Sequence, residues 1–460
     1  MIPIVTPAEM GEIDRSAPDP VEVLIDRAGA AVARAAVSLL GGTYGRRVVV
    51  VAGKGNNGND GRAAAERLAR RGVRVQVVAP SADTTVPRCD LVIDAAYGTG
   101  FRGTYDWPRL PPGVPVLSVD IPSGVDGLTG EVAGVVPTAR RTVTFAALKP
   151  GLLFEPGAGT VGEVVVADIG LDVSGASCAL VESDDVAAWL RPRPAVTNKW
   201  RSAVWVIAGS PGMAGAATLV SRAALRAGAG YVRQSSPGGS PATPDPVEAV
   251  HVELPAGGWA PKVVDELDRF GAVVVGNGLG TDPSTQAEIR ELVSSAVGLP
   301  VVVDADGLTA LAAAPADLPT GVVLTPHDGE FARLAGAPPG ADRLTAARDL
   351  ARQRGCVVLL KGGPTVVADA GGDALVVASG DSRLATAGTG DVLAGVIGAL
   401  AARGLDPFRA AAAGAFLHGE AGALGWRDGL VAGDLPGLLP EAIEGLIRRP
   451  GRAAAPRPAR

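Results

Sequence analysis

Short runs of β-branched residues alternate with alanine-rich stretches of helical spacing along almost the whole chain. In the first half, the apolar runs predict strands over residues 47–53, 73–79, 91–98, 114–120 and 141–147. In the second half, they predict strands over residues 203–209, 272–278, 300–306, 321–326, 356–362 and 374–380. The stretch DGRAAAERLARRG (60–72) predicts a crossover helix between the first two strands. This alternation is typical of an α/β protein with a mainly parallel sheet.

The alternation pauses at RPRPAVTNKW (191–200), where two prolines disfavour regular structure. A chain of 460 residues is long for one domain, and two or three are expected. We therefore place a boundary near residue 195, between an α/β domain over 1–190 and a second over 196–447. SSPGGSPATPDP (235–246) predicts a flexible loop, and RRPGRAAAPRPAR (448–460) predicts a disordered tail.

Composition narrows the class of protein. The formal net charge of -6 provides no basic footprint for nucleic acid. No apolar run approaches the ~20 residues that cross a bilayer, so no membrane partner is expected. Cys89, Cys178 and Cys356 are isolated, which argues against a disulfide framework or a zinc site and favours a reducing compartment. The first residues show no secretory signal, and we expect a cytoplasmic protein.

One carboxylate follows a glycine turn in LATAGTGDVLAG (384–395). Val392, Leu393, Val396, Ile397 and Leu400 recur with helical spacing and predict a buried helix face. Asp391 then lies at or near the helix N-terminus, where backbone N–H groups point outward without partners. The residue is either an N-cap or a base beside an anion-binding turn, and the stretch alone leaves both open.

The segment VVVVAGKGNNGNDG (48–61) is a strand followed by a glycine turn and a helix. Its glycines formally match a dinucleotide fingerprint, but the next strand ends in VVAP (77–80) without the expected acid. This disfavours an ordinary nicotinamide-dinucleotide dehydrogenase. Asn56, Asn57, Asn59 and Asp60 instead supply oxygens that suit hard cations and ligand hydroxyls. Tight turn chemistry is an equal alternative for this loop alone.

Three further segments place polar residues at predicted strand ends. Asp94 ends the strand of LVIDAAYGTGFRGT, Asp120 and Ser123 lie in SVDIPSGVDG, and Lys149 lies in TVTFAALKPG. Because the carboxyl ends of strands form the ligand crevice of an open parallel sheet, these clusters are expected to share one site.

Together these four motifs resemble the NAD(P)H-hydrate epimerase domain, over about residues 5 to 170 and including VLIDRAG (23–29). The expected fold of this first domain is Rossmann-like, with three layers. The resemblance implies potassium ligands at Asn57, Asp94 and Ser123. It implies contacts to the hydrates of NADH and NADPH (NADHX and NADPHX) from Asn56, Asn57, Gly58, Asn59, Asp60, Gly98, Thr99, Gly100, Phe101, Arg102, Gly103, Thr104 and Asp120. Asn59 replaces the usual second loop glycine; if that position needs a positive φ, asparagine is the next most tolerant residue.

The second half repeats the pattern. VVLLKGGPTVV (357–367) sets Lys361 and Thr365 around a Gly-Gly-Pro turn that could cradle a phosphate. AGTGD (387–391) follows it, and this order resembles ribokinase-like enzymes. With AGAA (214–217), GNGLG (276–280) and TPHDGEFARL (325–334), residues 196 to 430 are similar to ADP-dependent NAD(P)H-hydrate dehydratase.

That similarity implies hydrate contacts at Ala216, Gly278, His327 and Asp391. It implies nucleotide contacts at Lys361, Gly362, Gly363, Pro364, Thr365, Gly388, Thr389 and Gly390. The chain departs from the usual family pattern at three places. Met213 stands where an aromatic residue is usual, His327-Asp328-Gly329-Glu330 replaces HPGE, and AGTGD replaces GGTGD. These departures put the nucleotide specificity more in doubt than the reaction. His251 and His418 are interpreted as structural. A homo-oligomer is expected.

The implied chemistry is repair of nicotinamide cofactors to which water has added. The first domain would interconvert the two epimeric hydrates, with Asp94 and Lys149 as catalytic candidates whose roles stay unassigned. Asp391 would deprotonate the ring hydroxyl of the S form, and a phosphoryl group from ADP or ATP, with magnesium bridging the phosphates, would make the hydroxyl a better leaving group. ADP would leave AMP and phosphate. A ribokinase-family kinase and a non-catalytic dinucleotide sensor are the alternatives.

Overall fold

The structure is a computed structural model that describes residues 1–190, 192–239, 245–313 and 318–448. Each predicted strand is present and somewhat shorter than its apolar run. Most of the predicted tail (449–460) and the middle of the predicted loop (240–244) lie outside the described residues. The chain divides into two compact units, an N-terminal unit over Ile2–Ala179 and a C-terminal unit from Leu180 onward.

The N-terminal unit is an α/β unit with a fully parallel main sheet. Its strands are β1 Ile2–Ile4, β2 Arg47–Ala52, β3 Arg74–Val78, β4 Leu91–Ala95, β5 Val116–Val119, β6 Arg141–Phe145 and β7 Glu163–Ala167. Its α-helices are α1 Pro7–Arg15, α2 Val21–Leu40 and α3 Asn56–Arg70. The main sheet has the order β3-β2-β4-β5-β6-β7.

The central strands of this sheet are buried on both faces, which explains why they read as nearly continuous apolar runs. Val50, Ile93 and Leu117 are fully buried, and each contributes about 1.5–3 kcal/mol to stability. Helices α2 and α3 pack closely, since a Cβ on Gly29 would lie 2.5 Å from the Cβ of Ala63. The sheet order reverses between β2 and β4, which opens a crevice at the carboxyl ends of these strands.

The C-terminal unit is a larger mixed sheet with many helices. Strand β8 Cys178–Leu180 spans the division between the units, and it is followed by β9 Ala203–Ile207, β10 Tyr231–Ser235, β11 Val250–His251, β12 Ala272–Val275, β13 Val301–Val303, β14 Val322–Leu324, β15 Val357–Leu360, β16 Thr365–Ala368 and β17 Ala374–Val377. The order is β11-β10-β9-β12-β13-β14-β15-β16-β17, parallel up to β15 and antiparallel from β15 to β17. The sheet is therefore mainly parallel, as predicted.

The helices of this unit are α4 Ser183–Trp189, α5 Ala214–Arg226, α6 Ala260–Val264, α7 Pro283–Ser295, α8 Asp306–Ala312, α9 Asp328–Ala335, α10 Arg343–Arg354, α11 Thr389–Ala402, α12 Pro407–Leu424 and α13 Leu435–Ile447. Short 3-10 turns occupy Pro150–Leu152 and Gly157–Thr160 in the N-terminal unit, and Lys199–Ser202, Leu267–Arg269 and Ser382–Leu384 here.

Helix α11 is the central helix of the C-terminal unit. Its predicted apolar face is buried, and all of the remaining residues from Val392 to Ala402 are buried as well. Small residues allow this close packing: a Cβ on Gly395 would lie 2.3 Å from the carbonyl oxygen of Val220 in α5. A Cβ on Gly414 of α12 would likewise lie 2.5 Å from Ile397. The buried helix fixes the position of its own N-terminus.

The division between the units lies before the predicted boundary near residue 195. Helix α4 contacts α12 and α13, and its Val186 is fully buried. The division lies about fifteen residues before the predicted boundary, and the proline-rich stretch follows helix α4.

The remaining general expectations concern membranes and cysteines. Among the residues that the structure describes, no helix is long and apolar enough to span a membrane. Cys89, Cys178 and Cys356 form no disulfide bond among the described residues, and the last two are buried.

Candidate active sites

The asparagine motif of the N-terminal unit lies in the first turn of helix α3, and not in a loop before it. The helix begins at Asn56, four residues before the predicted start, with Gly55 as N-cap. A Cβ on Gly58 would lie 2.0 Å from the carbonyl oxygen of Gly53, so only glycine fits there. Asn59 is helical, so its position requires no positive φ and the substitution strains nothing.

Asp94 ends strand β4 and is fully buried. Its Oδ1 accepts hydrogen bonds from the hydroxyl of Ser123 at 2.6 Å and from the backbone N–H of Ala96 at 3.3 Å. Its Oδ2 accepts from the backbone N–H of Ser123 at 2.8 Å and from the hydroxyl of Ser118 at 3.3 Å. Burial raises the pKa of Asp94 to about 6 although these donors oppose the rise. The network locks Asp94 to Ser123.

Asp120 follows strand β5 with a φ of 67°, a left-handed conformation that few non-glycine residues adopt. Its Oδ1 lies 2.9 Å from the Nζ of Lys149, which is 1% exposed. Its Oδ2 accepts hydrogen bonds from the backbone N–H of Thr99 at 2.9 Å and from the Thr99 hydroxyl. Burial alone would raise the pKa of Asp120, but Lys149 and Thr99 outweigh it and hold that pKa below its usual value.

Lys149 is itself fully enclosed by acceptors. Its Nζ donates to the hydroxyl of Thr144 at 2.9 Å and to the carbonyl oxygens of Phe145 at 2.9 Å and Ala147 at 3.2 Å. The ammonium is therefore compensated on all sides and oriented toward Asp120. In this position it stabilises the ionised form of that carboxylate.

The three predicted potassium ligands lie along one contiguous path. The Oγ of Ser123, bonded to Asp94, accepts from the N–H of Tyr97 at 2.9 Å and lies 3.0 Å from its carbonyl oxygen. The next residue is Gly98, where a Cβ would lie 3.3 Å from the Cγ of Asn57. The buried amide oxygen and nitrogen of Asn57 have no hydrogen-bond partner among the described residues. A buried amide oxygen without a protein partner is available to a bound ion, water or ligand.

Two acidic residues near this path have shifted pKa values. Asp60 lies one turn after Asn57 in α3 and is 8% exposed. Burial raises the pKa of Asp60 to about 8, and the negative charges of Asp120 and Asp14 add to the rise. Asp14 of helix α1 also has a raised pKa, through burial first, while Lys149 opposes the rise. Sequence reasoning missed Asp14, since no motif marks it.

The glycine-rich loop 98–104 divides into two parts. Gly98 and Thr99 face Asp120, as described above. Gly100, Gly103 and Thr104 are exposed. A cavity of about 530 Å³ adjoins the loop and is lined by Phe101, Arg102, Gly103, Gly124, Asp126, Glu131, Val132, Ala133 and Pro156. The loop thus joins the polar cluster to open space that could hold part of a ligand.

The C-terminal unit places Asp391 in the first turn of helix α11. The N-cap is Gly388, with a φ of 90°, and no side chain caps the helix. The N-cap interpretation of Asp391 is therefore wrong, because its side chain turns to another partner. Its Oδ1 accepts a hydrogen bond from the Nδ2 of Asn277 at 2.7 Å. The uncapped N–H groups of this turn are available to an anion.

Asn277 joins Asp391 to a second buried acid. Its Nδ2 also donates to the Oδ2 of Asp304 at 3.0 Å, while the amide oxygen of Asn277 has no partner among the described residues. Asp304 accepts from the hydroxyl of Thr325 at 2.8 Å and lies 2.6 Å from the Nζ of Lys361. Burial raises the pKa of Asp391 to about 6, with the Asn277 hydrogen bond opposing the rise and the Asp304 charge adding to it. This group is poised to exchange a proton near neutral pH.

Lys361 closes the network at the end of strand β15. Burial alone would lower the pKa of Lys361, but Asp304 and Glu330 raise it above its usual value. Glu330 lies 4.0 Å from this ammonium, and burial raises the pKa of Glu330 while Lys361 opposes the rise. A Cβ on Gly390 would lie 3.3 Å from the Nζ of Lys361, so the absence of a side chain keeps the ammonium open toward the N-terminus of α11.

The predicted hydrate contacts divide into two groups. Gly278 has a φ of 67°, and a Cβ there would lie 3.0 Å from the Cβ of Ala216, so these two residues are neighbours next to Asn277. His327 instead caps helix α9: its Nδ1 accepts from the N–H of Gly329 at 3.0 Å. Its Nε2 lies 3.5 Å from Glu330, and the imidazole is 57% exposed. His327 therefore reaches the network through Glu330.

The predicted nucleotide residues form two turns. Gly362, Gly363 and Pro364 make the hairpin between β15 and β16, and the Thr365 hydroxyl donates to the carbonyl oxygen of Gly362 at 3.1 Å. In the second turn, the Thr389 hydroxyl donates to the carbonyl oxygens of Leu384 at 2.8 Å and Thr386 at 2.9 Å. Both hydroxyls are used in hydrogen bonds within their own turns. The backbone N–H groups of the turns and the ammonium of Lys361 therefore remain available to a phosphate.

Three residues of this network were not predicted as site residues: Asn277, Asp304 and Glu330. Asp304 lies directly after β13 in VVVDADGL, and Asn277 lies two residues after β12 in GNGLG. Glu330 lies in the first turn of α9, six residues after β14, in TPHDGEFARL. The signal that could have found them is the rule applied to the first domain, since polar residues at the carboxyl ends of neighbouring parallel strands converge.

Comparisons with known proteins identify the family of the chain. A family model described as NAD(P)H-hydrate dehydratase matches residues 204–444, and one described as YjeF-related protein N-terminus matches residues 21–86 and 79–151. A bifunctional NAD(P)H-hydrate repair enzyme of Moorella thermoacetica is 37% identical, and the alignment covers 96% of this chain and 97% of that protein. This chain belongs to that family. Its counterpart in Mycobacterium tuberculosis is 40% identical over 83% of this chain and 84% of its own length.

Solved structures agree for the C-terminal unit. An ADP/ATP-dependent NAD(P)H-hydrate dehydratase from Bacillus subtilis, co-crystallised with ATP and Mg²⁺, is 29% identical, has a TM-score of 0.50 and covers 57% of this chain and 97% of its own. A ribokinase-like superfamily protein from Enterococcus faecalis, 22% identical with a TM-score of 0.54, covers 59% of this chain and 98% of its own and shows the same fold. The resemblances drawn from the motifs and the ribokinase-like fold are confirmed.

Proposed function

We propose that this chain repairs hydrated NADH and NADPH at two separate sites. The N-terminal unit interconverts the R and S hydrates, and the C-terminal unit dehydrates the S form with the help of a nucleotide. The observation that carries the proposal is that each unit of this family member has its own polar constellation at the carboxyl ends of its strands. The alternatives, a small-molecule kinase and a non-catalytic sensor, would not require both of these sets of polar residues.

In the C-terminal unit, Asp391 is the base that takes the proton of the ring hydroxyl. Its oxygen is held by Asn277, and its raised pKa still leaves it ionised at neutral pH. The hydroxyl oxygen then accepts the terminal phosphoryl group of the nucleotide, which converts it into a phosphate leaving group. The uncapped N–H groups of α11 and the ammonium of Lys361 stabilise the negative charge on the phosphoryl oxygens. Elimination of phosphate regenerates the reduced cofactor.

The nucleotide is proposed to be ADP, which would leave as AMP, with ATP as the alternative. The turn 361–365 and the Gly388-Thr389-Gly390 turn are the proposed nucleotide contacts, and Ala216, Gly278 and His327 the proposed hydrate contacts. A bound magnesium ion would neutralise negative charge on the phosphates. Among the described residues, Asp304 and Glu330, both largely buried beside Lys361, are the carboxylates proposed to hold such an ion.

In the N-terminal unit, Asn57, Asp94 and Ser123 are proposed to hold a potassium ion. The fit rests on the unpartnered buried amide of Asn57 and on its connection to Ser123 through residues 97 and 98. A bound potassium ion would supply a fixed positive charge that orients the hydrate. Because four donors lock Asp94, its role is proposed to lie in this ion site rather than in proton transfer. Lys149 is proposed to act through Asp120.

The test uses the full chain, a mixture of NADH hydrates and ADP. Recovery of near-ultraviolet absorbance reports the reduced ring, and chromatography resolves the R and S hydrates and AMP. We expect complete recovery from the mixture, because epimerisation feeds R into S, and an R-to-S rate that rises with potassium. Release of a phosphorylated hydrate without recovery would identify a kinase instead, and binding without turnover would identify a sensor. Cytoplasmic location and homo-oligomerisation remain expectations.

A further inference from the structure

Two carboxyl groups of the N-terminal site have opposite surroundings. Asp120 is paired with Lys149 at 2.9 Å and accepts two hydrogen bonds from Thr99. Asp60 is 8% exposed, yet its carboxyl group makes no hydrogen bond to any residue in the described ranges. Each group is thereby held in a different protonation state, Asp120 as a carboxylate and Asp60 as a neutral acid.

The two groups border the same space. Asp60 follows Asn57 by three positions in α3, so both side chains lie on one side of the helix. A Cβ on Gly98 would lie 3.3 Å from the Cγ of Asn57 and 3.0 Å from the Oδ2 of Asp120. Asp60 also interacts electrostatically with Asp120 and with Asp14 of helix α1. The groups facing Asp60 are therefore Asp120, Asp14 and, behind Asp120, the ammonium of Lys149.

The electrostatics support this division of roles. Burial and the neighbouring negative charges raise the pKa of Asp60 to about 8, whereas Lys149 and Thr99 keep the pKa of Asp120 below its usual value. Pairs of titratable groups whose environments push their pKa values apart are typical of acid–base catalysis.

The substrate requires such a pair. Water adds to the enamine of a reduced nicotinamide ring with its oxygen on the carbon next to the ring nitrogen. Inversion of that carbon needs the hydroxyl to leave and water to return on the other face. A leaving hydroxyl needs an acid, and an attacking water needs a base.

We propose that Asp60 is the general acid of epimerisation and that Asp120, oriented by Lys149, is the general base. This inference rests on the proposed epimerase function. Asp60 protonates the ring hydroxyl, the C–O bond breaks with its electron pair on oxygen, and water leaves as the nitrogen lone pair forms a C=N bond. Water then adds to the opposite face, the π electrons return to nitrogen, and Asp120 takes the released proton. Transfer of that proton through solvent back to Asp60 completes the cycle.

The test compares the full-length protein with its Asp60→Asn and Asp172→Asn variants. Asp172 is an exposed aspartate of the same unit and serves as the matched control. The R hydrate of NADH is supplied without nucleotide, and its conversion to S is followed by chromatography above the spontaneous rate. We expect Asp60→Asn to lower kcat by about 10²–10⁴-fold with KM changed less than about threefold, because the amide keeps the shape but donates no acidic proton. Asp172→Asn should match the wild type.

A second readout is the pH profile. The wild-type kcat should fall as pH rises through about 8, since Asp60 then loses the proton it must donate, and this fall should be absent from the residual rate of Asp60→Asn. Dehydration of the S hydrate with ADP by the same variant should be unchanged, and the thermal unfolding of the N-terminal unit, compared with that of Asp172→Asn, checks that this unit is folded. The acid role would be overturned if the wild-type protein epimerises and Asp60→Asn has the same kcat, whether or not its KM is changed. A wild-type protein that does not epimerise at all would instead overturn the proposed function.

Discussion

At the scale of single residues, the aspartate side chain has three different environments in the two candidate sites. Asp94 is locked by four donors, Asp120 is paired with an ammonium, and Asp391 accepts from one amide at the mouth of a helix. Burial raises the pKa of Asp94 and Asp391 to about 6, but only Asp391 is partly exposed to its crevice. Accessibility therefore separates Asp94 from Asp391, although burial raises the pKa of both.

Asp391→Asn should lower dehydration of the S hydrate by at least about 10²-fold, because the amide cannot accept the hydroxyl proton. The wild-type rate should fall as pH drops through about 6, where Asp391 becomes protonated and loses its function as a base. Asp373→Asn, at an exposed turn of the same unit, is the control and should leave turnover unchanged. Near-normal turnover of Asp391→Asn in a steady-state assay with ADP would remove Asp391 from the mechanism.

The candidate site residues themselves were easier to predict from the sequence than their hydrogen-bond partners. Asp391, Lys361, Asp94 and Lys149 were predicted because they lie in recognisable motifs at strand ends or, for Asp391, after a glycine turn. Their partners could not be predicted, because the hydrogen bond between Asn277 and Asp391 joins residues 114 positions apart, and only the completed sheet brings them together. Asp14 carries no motif at all.

At the scale of elements, both sites use the start of a helix that follows a strand or a glycine turn. In α11 the uncapped turn is open because Gly388 adopts a left-handed conformation. In α3 the first turn lies against the end of β2, because Gly58 allows the backbones to touch. Sequence periodicity located these helices well, but it placed the start of α3 four residues late, since asparagine and glycine are usually turn residues.

The close contact of α3 with β2 leads to a paired prediction. Gly58→Ala would place a Cβ 2.0 Å from the carbonyl oxygen of Gly53, and it should destabilise the N-terminal unit by about 1–3 kcal/mol or more and abolish epimerisation. Gly55→Ala, where a Cβ would meet nothing within 4 Å and φ is -86°, should cost at most about 1 kcal/mol. Urea denaturation of both variants, with epimerase assays, makes the comparison. Equal stability of the two would show that the contact is not tight.

At the scale of the whole molecule, each unit carries a complete set of polar residues within its own boundaries. All of the residues proposed for epimerisation lie in Ile2–Ala179, and all of those proposed for dehydration lie after it. The alternation of strands and helices predicts two or three domains, and the chain divides into two compact units. The place of that division has no signal in the sequence, because α4 has only seven residues and its attachment to α12 and α13 is a tertiary contact.

Fragments over 1–176 and 177–460 should therefore fold separately and retain epimerase and dehydratase activity, respectively. This cut keeps β8 whole and leaves Ala176 with the N-terminal core, against which it packs.

A shorter fragment over 196–460 lacks α4 and so loses the buried side chains of Val186 and Leu190, each worth about 1.5–3 kcal/mol. The two side chains together are worth about 3–6 kcal/mol, so the melting temperature of 196–460 should be lower by roughly 6–24 °C than that of 177–460, on the scale of about 2–4 °C per kcal/mol for units of this size. Scanning calorimetry of the two C-terminal fragments, with dehydration of pure S hydrate as the activity measurement, decides the point. Equal melting temperatures would place α4 outside the folded unit, and a folded but inactive 177–460 fragment that the N-terminal fragment reactivates would show that the sites are shared.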